Sequence, residues 1–428
     1  MSALAGAVDD ALVFDDDEDA SSKVAEICNL SSLLVEAYKE ENVGASVTQC
    51  FAAVTKLLSR AEMLADPAAL KAVQDEARGL EAAGTWDLES VREYADVKAE
   101  AQRSGISVHF GQLMAIASIK FWELAKRLQK TKGRIVYRGD CAKDENGAAA
   151  VYQELGANPT SVQGLNACIA YGSAPGHICT AADAVKAYVQ SFLKSKHKTW
   201  IELSPELRPK LWREKFVRPV VLLIRALYGH PDAGGLWEAH LKEVLKGLGG
   251  VEIQEYPGNF WFAEDKLMLS TYVDDLTLAG PRAAHAPFWD KLCALVNVEP
   301  PEPIYRILGR NHVYLEHTLE DKTKVHALAF EMSDYAQQTI DLYKSIAKVD
   351  KIRNASTPFL PEGSFIPSDE EVKGELSGNA AKILMKSLWL ARLARPDILR
   401  PINELATRVQ RWTRADDKKV LRPCTTGC

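Results

Sequence analysis

The chain has 428 residues, 47% of them hydrophobic, and a formal net charge of −6. This length allows two or three subdomains around a large core. There is no apolar run of 18 residues, so we expect no transmembrane helix and no membrane partner. The eight cysteines form no C-x-x-C pair, which argues against a disulfide scaffold or a zinc site and favours a reducing intracellular compartment, cytoplasm or nucleus.

The N-terminal part is first acidic and then helical in pattern. Residues 1–20 carry seven acids and no Lys or Arg, and such a block of like charge is typical of a disordered tail. These seven negative charges exceed the net charge of −6, so residues 21–428 are close to neutral as a whole. Such a balance is compatible with a local basic groove that binds nucleic acid. Between residues 21 and 65, apolar side chains recur near 3.6-residue spacing and predict a helical extension.

The next segment predicts a helix and then a cationic strand. Asp66 and Pro67 suit a helix start, and Gly84 suits its exit. Residues 88–130 are interpreted as helices around a short extended break. Lys132–Gly139 alternates bases with apolar residues, which predicts a strand with cationic side chains on its exposed face. Taken alone, this pattern is equally that of an edge strand protected by Lys and Arg.

Three aspartates stand where predicted strands end. His177–Asp183 predicts a strand that runs into a helix over Ala184–Leu193, and Asp183 alone is well explained as a helix cap. Leu267–Gly280 predicts a hairpin with Asp274 and Asp275 at its bend. A buried carboxylate is costly unless it is paired or coordinated. The doublet is therefore either an exposed turn or a divalent-cation site, since Mg²⁺ binds carboxylates together with substrate phosphates.

Several segments resemble, in the expected order, parts of copia-type retrotransposon reverse transcriptases. Tyr272–Asp275 is similar to the family's YVDD box, and DAVKAYVQ from Asp183 resembles its first catalytic motif. Ala226–Trp237 resembles the second motif, but HPDAGG replaces the family's central bases and glutamine. Further resemblances are the Leu-Gly, Ser-Thr-Pro and Arg-Pro-Asp elements at Leu308–Gly309, Ser356–Pro358 and Arg395–Asp397. The resemblance spans about residues 66 to 422.

The resemblance implies an α+β fold, the right-hand polymerase. Residues 66–180 would form fingers, and 181–310 a palm with an antiparallel sheet covered by helices on one face, including a second-motif insertion at 219–250. Residues 311–428 would form a helical thumb and connection, truncated before an RNase H domain. Asp183 and the Asp274–Asp275 doublet would converge if their strands are neighbours in one sheet.

The resemblance also implies RNA-directed DNA polymerase activity. The reaction would add deoxynucleotides, from deoxynucleoside triphosphates, to a primer 3′-hydroxyl on an RNA or DNA template, with two Mg²⁺ ions and Mn²⁺ as the alternative metal. The catalytic metal ligands would be Asp183, Asp274 and Asp275. The nucleotide-binding residues would be Lys132, Arg134, Tyr188, Tyr228 and Gly229, with Tyr188 excluding a ribose 2′-hydroxyl. The primer contacts would be Leu308, Gly309 and Arg310. The oligomeric state stays open.

Two alternatives to an active polymerase also stay open. In the first alternative the chain is a catalytically inactive retrotransposon remnant, and in the second it is a non-enzymatic nucleic-acid-binding module. The altered second motif favours the first alternative, whereas the intact trio of aspartates opposes it.

Overall fold

The computed structural model describes residues 55–120, 126–153, 156–318, 322, 324–352, 355–361 and 363–425. Of the described residues, those between 314 and 329 belong to one compact unit, and the others belong to a second. The described residues have a mixed α+β architecture with several sheets. The expected acidic tail and most of the expected helical extension lie outside the described residues.

The described helices and strands are as follows in chain order. The α-helices are α1 (Arg60–Ala65), α2 (Pro67–Ala82), α3 (Tyr94–Ser104), α4 (Val162–Gly172), α5 (Trp212–Lys215), α6 (Ala233–Gly247), α7 (Arg282–Cys293), α8 (Ser333–Ala347), α9 (Pro367–Glu371), α10 (Ala380–Leu393), α11 (Leu399–Ala406) and α12 (Arg414–Thr425). The strands are β1 (Lys56–Leu57), β2 (Trp86–Glu93), β3 (Val108–Lys120), β4 (Lys130–Tyr137), β5 (Lys143–Asp144), β6 (His177–Asp183), β7 (Lys198–Glu202), β8 (Pro219–Leu223), β9 (Val251–Glu252), β10 (Asn259–Phe262), β11 (Leu267–Tyr272), β12 (Asp275–Pro281), β13 (Glu302–Pro303), β14 (Arg306–Ile307), β15 (Arg310–Thr318) and β16 (Lys324–Glu331).

The first sheet has the strand order β1-β3-β7-β8-β2, and β4 and β5 also pair with β3. Strand β3 runs parallel to β7 and antiparallel to β4. Helix α2 begins as predicted, because the Asp66 side chain accepts a hydrogen bond from the Ala68 amide at 2.9 Å. It packs on β4 at Gly133, where a Cβ atom would lie 2.4 Å from the Ala72 carbonyl oxygen. The backbones of α2 and β4 are therefore in direct contact at Gly133.

The second sheet has the order β13-β6-β12-β11-β10-β9, and its strands are antiparallel. Helices α6 and α7 cover one face with the buried side chains of Trp237, Leu241, Leu245, Phe288, Trp289 and Leu292. Helix α4 covers the other face through Cys168, which packs with Cys179, Met268 and Ala279. The expectation of helices on one face only is therefore wrong. A separate core joins α8, α10, α11 and α12 near the C-terminus.

Three predictions of local structure were wrong. Residues 56–57, in the expected helical extension, form a strand that pairs with β3. Residues 88–130, interpreted as mainly helical, contain much of β2 and all of β3. The helix expected after Asp183 is reduced to a 3-10 turn over Ala187–Gln190. In addition, β7 and β8 join the first sheet, so that sheet draws strands from both sides of residue 180.

Candidate active site

Asp183 ends β6, and Asp275 begins the neighbouring strand β12. Seven consecutive residue pairs join the two antiparallel strands, and in this register Asp183 lies directly opposite Asp275. Opposed residues project from the same face of a sheet, with Cβ atoms about 4.5–5.5 Å apart. The two carboxyl groups therefore meet at one end of the second sheet.

A tight turn of Val273 and Asp274 connects β11 to β12. Val273 has a φ of +59°, a region that β-branched residues rarely adopt and that glycine usually fills in hairpin turns. Trp237 Nε1 donates a hydrogen bond to the Val273 carbonyl at 2.7 Å. The amide of Ala184, the residue after Asp183, donates to the Asp274 carbonyl, also at 2.7 Å. These bonds tie the turn to α6 and to the end of β6.

Asp183 and Asp274 influence the Asp275 carboxyl. Burial raises the pKa of Asp275 to about 7, and the charges of Asp183 and Asp274 add to this shift. The Asp275 carboxyl also lies within hydrogen-bonding reach of Asp183. Two carboxylates this close share a proton or need a cation between them, because both cannot be ionised without large repulsion.

The donor set suits a hard divalent cation. Carboxylate oxygens are the ligands that Mg²⁺ prefers; Asp274 and Asp275 are half-buried and Asp183 beside them is exposed, which leaves the group open to an ion from solvent. Among the described residues, no group of three or more His, Cys, Asp or Glu side chains is already arranged around one metal position. Binding of an ion would thus require Asp183 and Asp275 to exchange their mutual contact for contacts with the cation.

Two tyrosines lie beside the aspartates. The rings of Tyr188 and Tyr228 are in contact, with centroids 4.6 Å apart and planes inclined by 55°. Burial raises the pKa of Tyr228 to about 12, and the charge of Asp274 adds to this shift. The same two causes raise the pKa of Tyr188. Arg134 lowers the pKa of Tyr228, so the tyrosines stand between the aspartates and β4.

Strand β4 has the predicted alternation. Lys132 and Arg134 are exposed, whereas Gly133 and Ile135 between and beside them are buried. Burial lowers the pKa of Lys132, and the positive charges of Lys120 and Arg134 lower it further. The exposed face of this strand therefore carries a local cluster of positive charge, which the near-neutral overall composition does not reveal.

Gly229 holds the second-motif loop against β4. Its φ is +86°, and a Cβ atom there would lie 2.1 Å from the Tyr137 carbonyl oxygen. The Tyr137 amide donates to the Tyr228 carbonyl at 2.7 Å. Both the positive φ and the close approach require glycine at this position, and together they fix the location of Tyr228.

The HPDAGG segment that follows turns its polar side chains inward. His230 and Asp232 are buried. The Asp232 carboxylate accepts a hydrogen bond from Ser195 Oγ at 2.8 Å, and the His230 ring lies 5.0 Å from the rings of Tyr137 and Tyr152. Sequence reasoning did not foresee this cluster, because nothing in the local pattern indicates which way the loop faces.

The expected primer-contact segment forms the turn between β14 and β15. Leu308 and Gly309 have positive φ angles, and Leu308 packs against the C-terminal helical core. The Arg310 side chain is only 1% exposed. Its Nη1 donates to Asn166 Oδ1 at 2.9 Å, and its guanidinium lies 4.1 Å from the Phe330 ring centroid. The Arg310 guanidinium is therefore not presented to a primer, which corrects the expectation for this side chain.

No known protein-family model matches the chain. The geometry alone brings together the five residues Asp183, Tyr188, Tyr228, Asp274 and Asp275. Glu76 and Lys186, which sequence reasoning did not single out, form an ion pair beside this group. The only feature of the sequence that could have indicated this pair is the position of Lys186 inside the DAVKAYVQ segment. None of the described helices is long and apolar enough for a membrane span.

Proposed function

We propose that the chain is an RNA-directed DNA polymerase similar to copia-type reverse transcriptases, with fingers, palm and thumb. The observation that carries the proposal is the direct pairing of Asp183 with Asp275, with Asp274 tied to the same sheet end. In this proposal the first sheet belongs to the fingers, the second sheet is the palm, and helices α8 to α12 form the thumb and connection.

The three aspartates would hold two Mg²⁺ ions, or Mn²⁺ in their place. When bound, these ions would lower the pKa of the primer 3′-hydroxyl and stabilise the leaving pyrophosphate. The chain's own contribution is to hold three carboxylates at one point and to align primer and nucleotide, because phosphoryl transfer depends on positioning and charge stabilisation.

The neighbouring residues account for nucleotide binding. Lys132 and Arg134 would bind the triphosphate, and the planar guanidinium of Arg134 suits two phosphate oxygens at once. The Tyr188 ring, held against Tyr228, would lie under the sugar and exclude a 2′-hydroxyl. Gly229 would keep Tyr228 in place from the β4 side.

Primer extension on RNA and DNA templates tests the proposal. The wild-type chain should extend a primer in Mg²⁺, and Asp183→Asn or Asp274→Asn should reduce the rate roughly a hundred- to a thousandfold by removing charge at the reacting centre. Asp290→Asn is the matched control, because Asp290 is exposed on α7, and it should leave the rate unchanged. Extension that persists in Asp274→Asn would refute the site.

A catalytically inactive remnant, or a non-enzymatic nucleic-acid-binding module, is the second candidate. The burial of His230 and Asp232 favours the inactive remnant, because the loop that carries two bases in the family offers no cation here. The nucleic-acid-binding module would bind primer–template with steep salt dependence. It would not extend the primer and would not bind nucleotide in a metal-dependent way.

A further inference from the structure

Lys186 occupies an unusual position beside the aspartates. It lies three residues after Asp183 and two before Tyr188, in the connection that follows β6. Its φ is +50°, which is uncommon for a residue other than glycine. A strained backbone conformation of this kind persists only when contacts with neighbouring residues stabilise it. The contacts of the Lys186 side chain are therefore of interest.

The Lys186 side chain crosses to helix α2. Its Nζ lies 3.3 Å from Glu76 Oε2, and the two side chains are 31% and 25% exposed. Gly79, one turn further along α2, leaves the space for this contact, since a Cβ atom there would lie 2.5 Å from Lys186 Nζ. Glycine within a helix is destabilising by roughly 0.5–1 kcal/mol relative to alanine. The close contact with Lys186 explains why glycine is found at position 79 in spite of this cost.

Glu76 also lies near Lys132, one of the two residues proposed to bind the triphosphate. Its negative charge opposes the lowering of the Lys132 pKa, which is caused first by burial and then by Lys120 and Arg134. It also contributes to the raised pKa of Tyr228. The Glu76 carboxylate is thus in contact with Lys186 from the β6 connection and acts electrostatically on Lys132 of β4 and on Tyr228.

A carboxylate in this position resembles a phosphate group in charge and in hydrogen-bonding capacity. Both are oxyanions that accept from an ammonium group. Because the pair is partly exposed, it is worth only about 0–1 kcal/mol. A triphosphate, which carries several negative charges and brings metal ions with it, can therefore displace the carboxylate from Lys186.

We propose that Lys186 binds the phosphates of the incoming nucleotide, and that Glu76 is an internal carboxylate that competes with those phosphates for the lysine. This inference rests on the proposed function. It adds a nucleotide-binding residue, Lys186, and a residue that lowers nucleotide affinity, Glu76. Nucleotide entry exchanges one oxyanion for another at Lys186, and the released Glu76 carboxylate moves to solvent.

Equilibrium nucleotide binding tests the inference without requiring turnover. The full-length protein is mixed with Mg²⁺, a primer–template whose primer ends in a dideoxynucleotide, and the complementary deoxynucleoside triphosphate. Glu76→Gln should lower the nucleotide Kd roughly three- to tenfold, and Lys186→Gln should raise it by a similar factor. Lys186→Arg should stay near wild type. In the double variant, most of the gain from Glu76→Gln should disappear.

Glu100→Gln is the matched control, because Glu100 pairs with Arg92 at 2.6 Å elsewhere in the first-sheet region; its Kd should equal that of wild type. Thermal unfolding of each variant checks that it is folded. If Glu76→Gln leaves Kd unchanged or raises it, the pair is only a structural tether between α2 and the β6 connection, and the inference is overturned. If Lys186→Gln binds normally while wild type extends primers, this inference alone fails. A wild-type protein that neither binds nucleotide nor extends primers overturns the proposed function as well.

Discussion

Asp183 and Asp275 are an unfavourable pair in the absence of a cation. They are directly opposed across two strands, and like charges in that position destabilise a sheet. The raised pKa of Asp275 expresses the same conflict, with burial as the largest cause and the two neighbouring aspartates next. The folded protein therefore retains a proton at Asp275 that the unfolded chain releases at lower pH.

Asp275→Asn should stabilise the protein without divalent cations. Because the folded-state pKa of about 7 lies above the ordinary value of 3.8, the contribution of Asp275 to wild-type stability falls as pH rises from about 4 to 7, and the penalty is complete above pH 7. At pH 8 in EDTA, the variant should gain on the order of 1–2 kcal/mol in unfolding free energy, the shift being discounted for partial exposure. Urea unfolding at several pH values measures this.

The gain should vanish below about pH 3, where the wild-type carboxyl is protonated in both states. Added Mg²⁺ should stabilise wild type at pH 8 but not Asp275→Asn, since the cation replaces the proton at the carboxylates. A variant that is less stable than wild type at pH 8 in EDTA would contradict the assignment of Asp275 as a crowded, destabilised acid.

At the scale of elements, the aspartate turn depends on helix α6. Trp237 Nε1 is the donor to the Val273 carbonyl, in a turn where valine is held at a positive φ. The tryptophan is buried in the core between α6 and the second sheet. Packing of that core thus positions the turn that carries Asp274.

Trp237→Phe should lower kcat while nucleotide KM changes little. The variant keeps an aromatic ring but leaves the Val273 carbonyl without its donor, at a cost of roughly 1–3 kcal/mol in stability. The matched control is Trp289→Phe, which removes an equivalent bond from Trp289 Nε1 to Thr180 Oγ1 at 2.8 Å. Both variants should lose similar stability, and only Trp237→Phe should slow primer extension. Equal slowing in both would show that Trp237 has no special role.

Sequence patterns predicted the strands of the second sheet better than those of the first. The hairpin predicted at 267–280 is confirmed. It was predictable because the residues on both sides of its aspartate-containing bend are mostly apolar, a pattern typical of buried strands. Strand β3 was missed because it contains the helix formers Leu113, Met114 and Ala115. Its extended state comes from pairing with β4 on one side and β7 on the other, which local propensity does not encode.

At the scale of the whole molecule, two buried histidines link stability to pH. Burial lowers the pKa of His230 to about 4, and burial with Arg310 lowers that of His312 to about 4. Both rings are buried in the folded protein. The unfolded chain takes up their protons first as the pH falls.

The contribution of the two histidines to the unfolding free energy should therefore decrease as pH falls from about 6.5 to about 4, since a depressed histidine pKa gives stability that is present above 6.5 and lost as pH falls through the folded value. His230 alone should contribute about 3 kcal/mol to this loss. Chemical unfolding of wild type and His230→Phe, which keeps a ring against Tyr137 and Tyr152, measures the difference. The variant should show a shallower pH slope between 6.5 and 4. Identical slopes would mean that the pKa of His230 is the same in the folded and unfolded states.

The candidate site was only partly predictable from the sequence. The meeting of Asp183 with the doublet was predicted on the condition that their strands are neighbours, and the register of β6 with β12 meets that condition. The inward direction of His230 and the burial of Arg310 were not predictable, because both depend on contacts with distant segments such as Ser195 and Asn166.

The small side chains of β6 give the site a particular vulnerability. Cys179, Thr180, Ala181 and Ala182 are all small, so loss of one codon here would shift the strand by one residue without removing a large side chain. Alternation would then move the acid to the reverse side of the sheet. Such an allele would lose the bond between Trp289 and Thr180 as well as the opposition of Asp183 and Asp275, and the proposed polymerase should then fail to extend a primer.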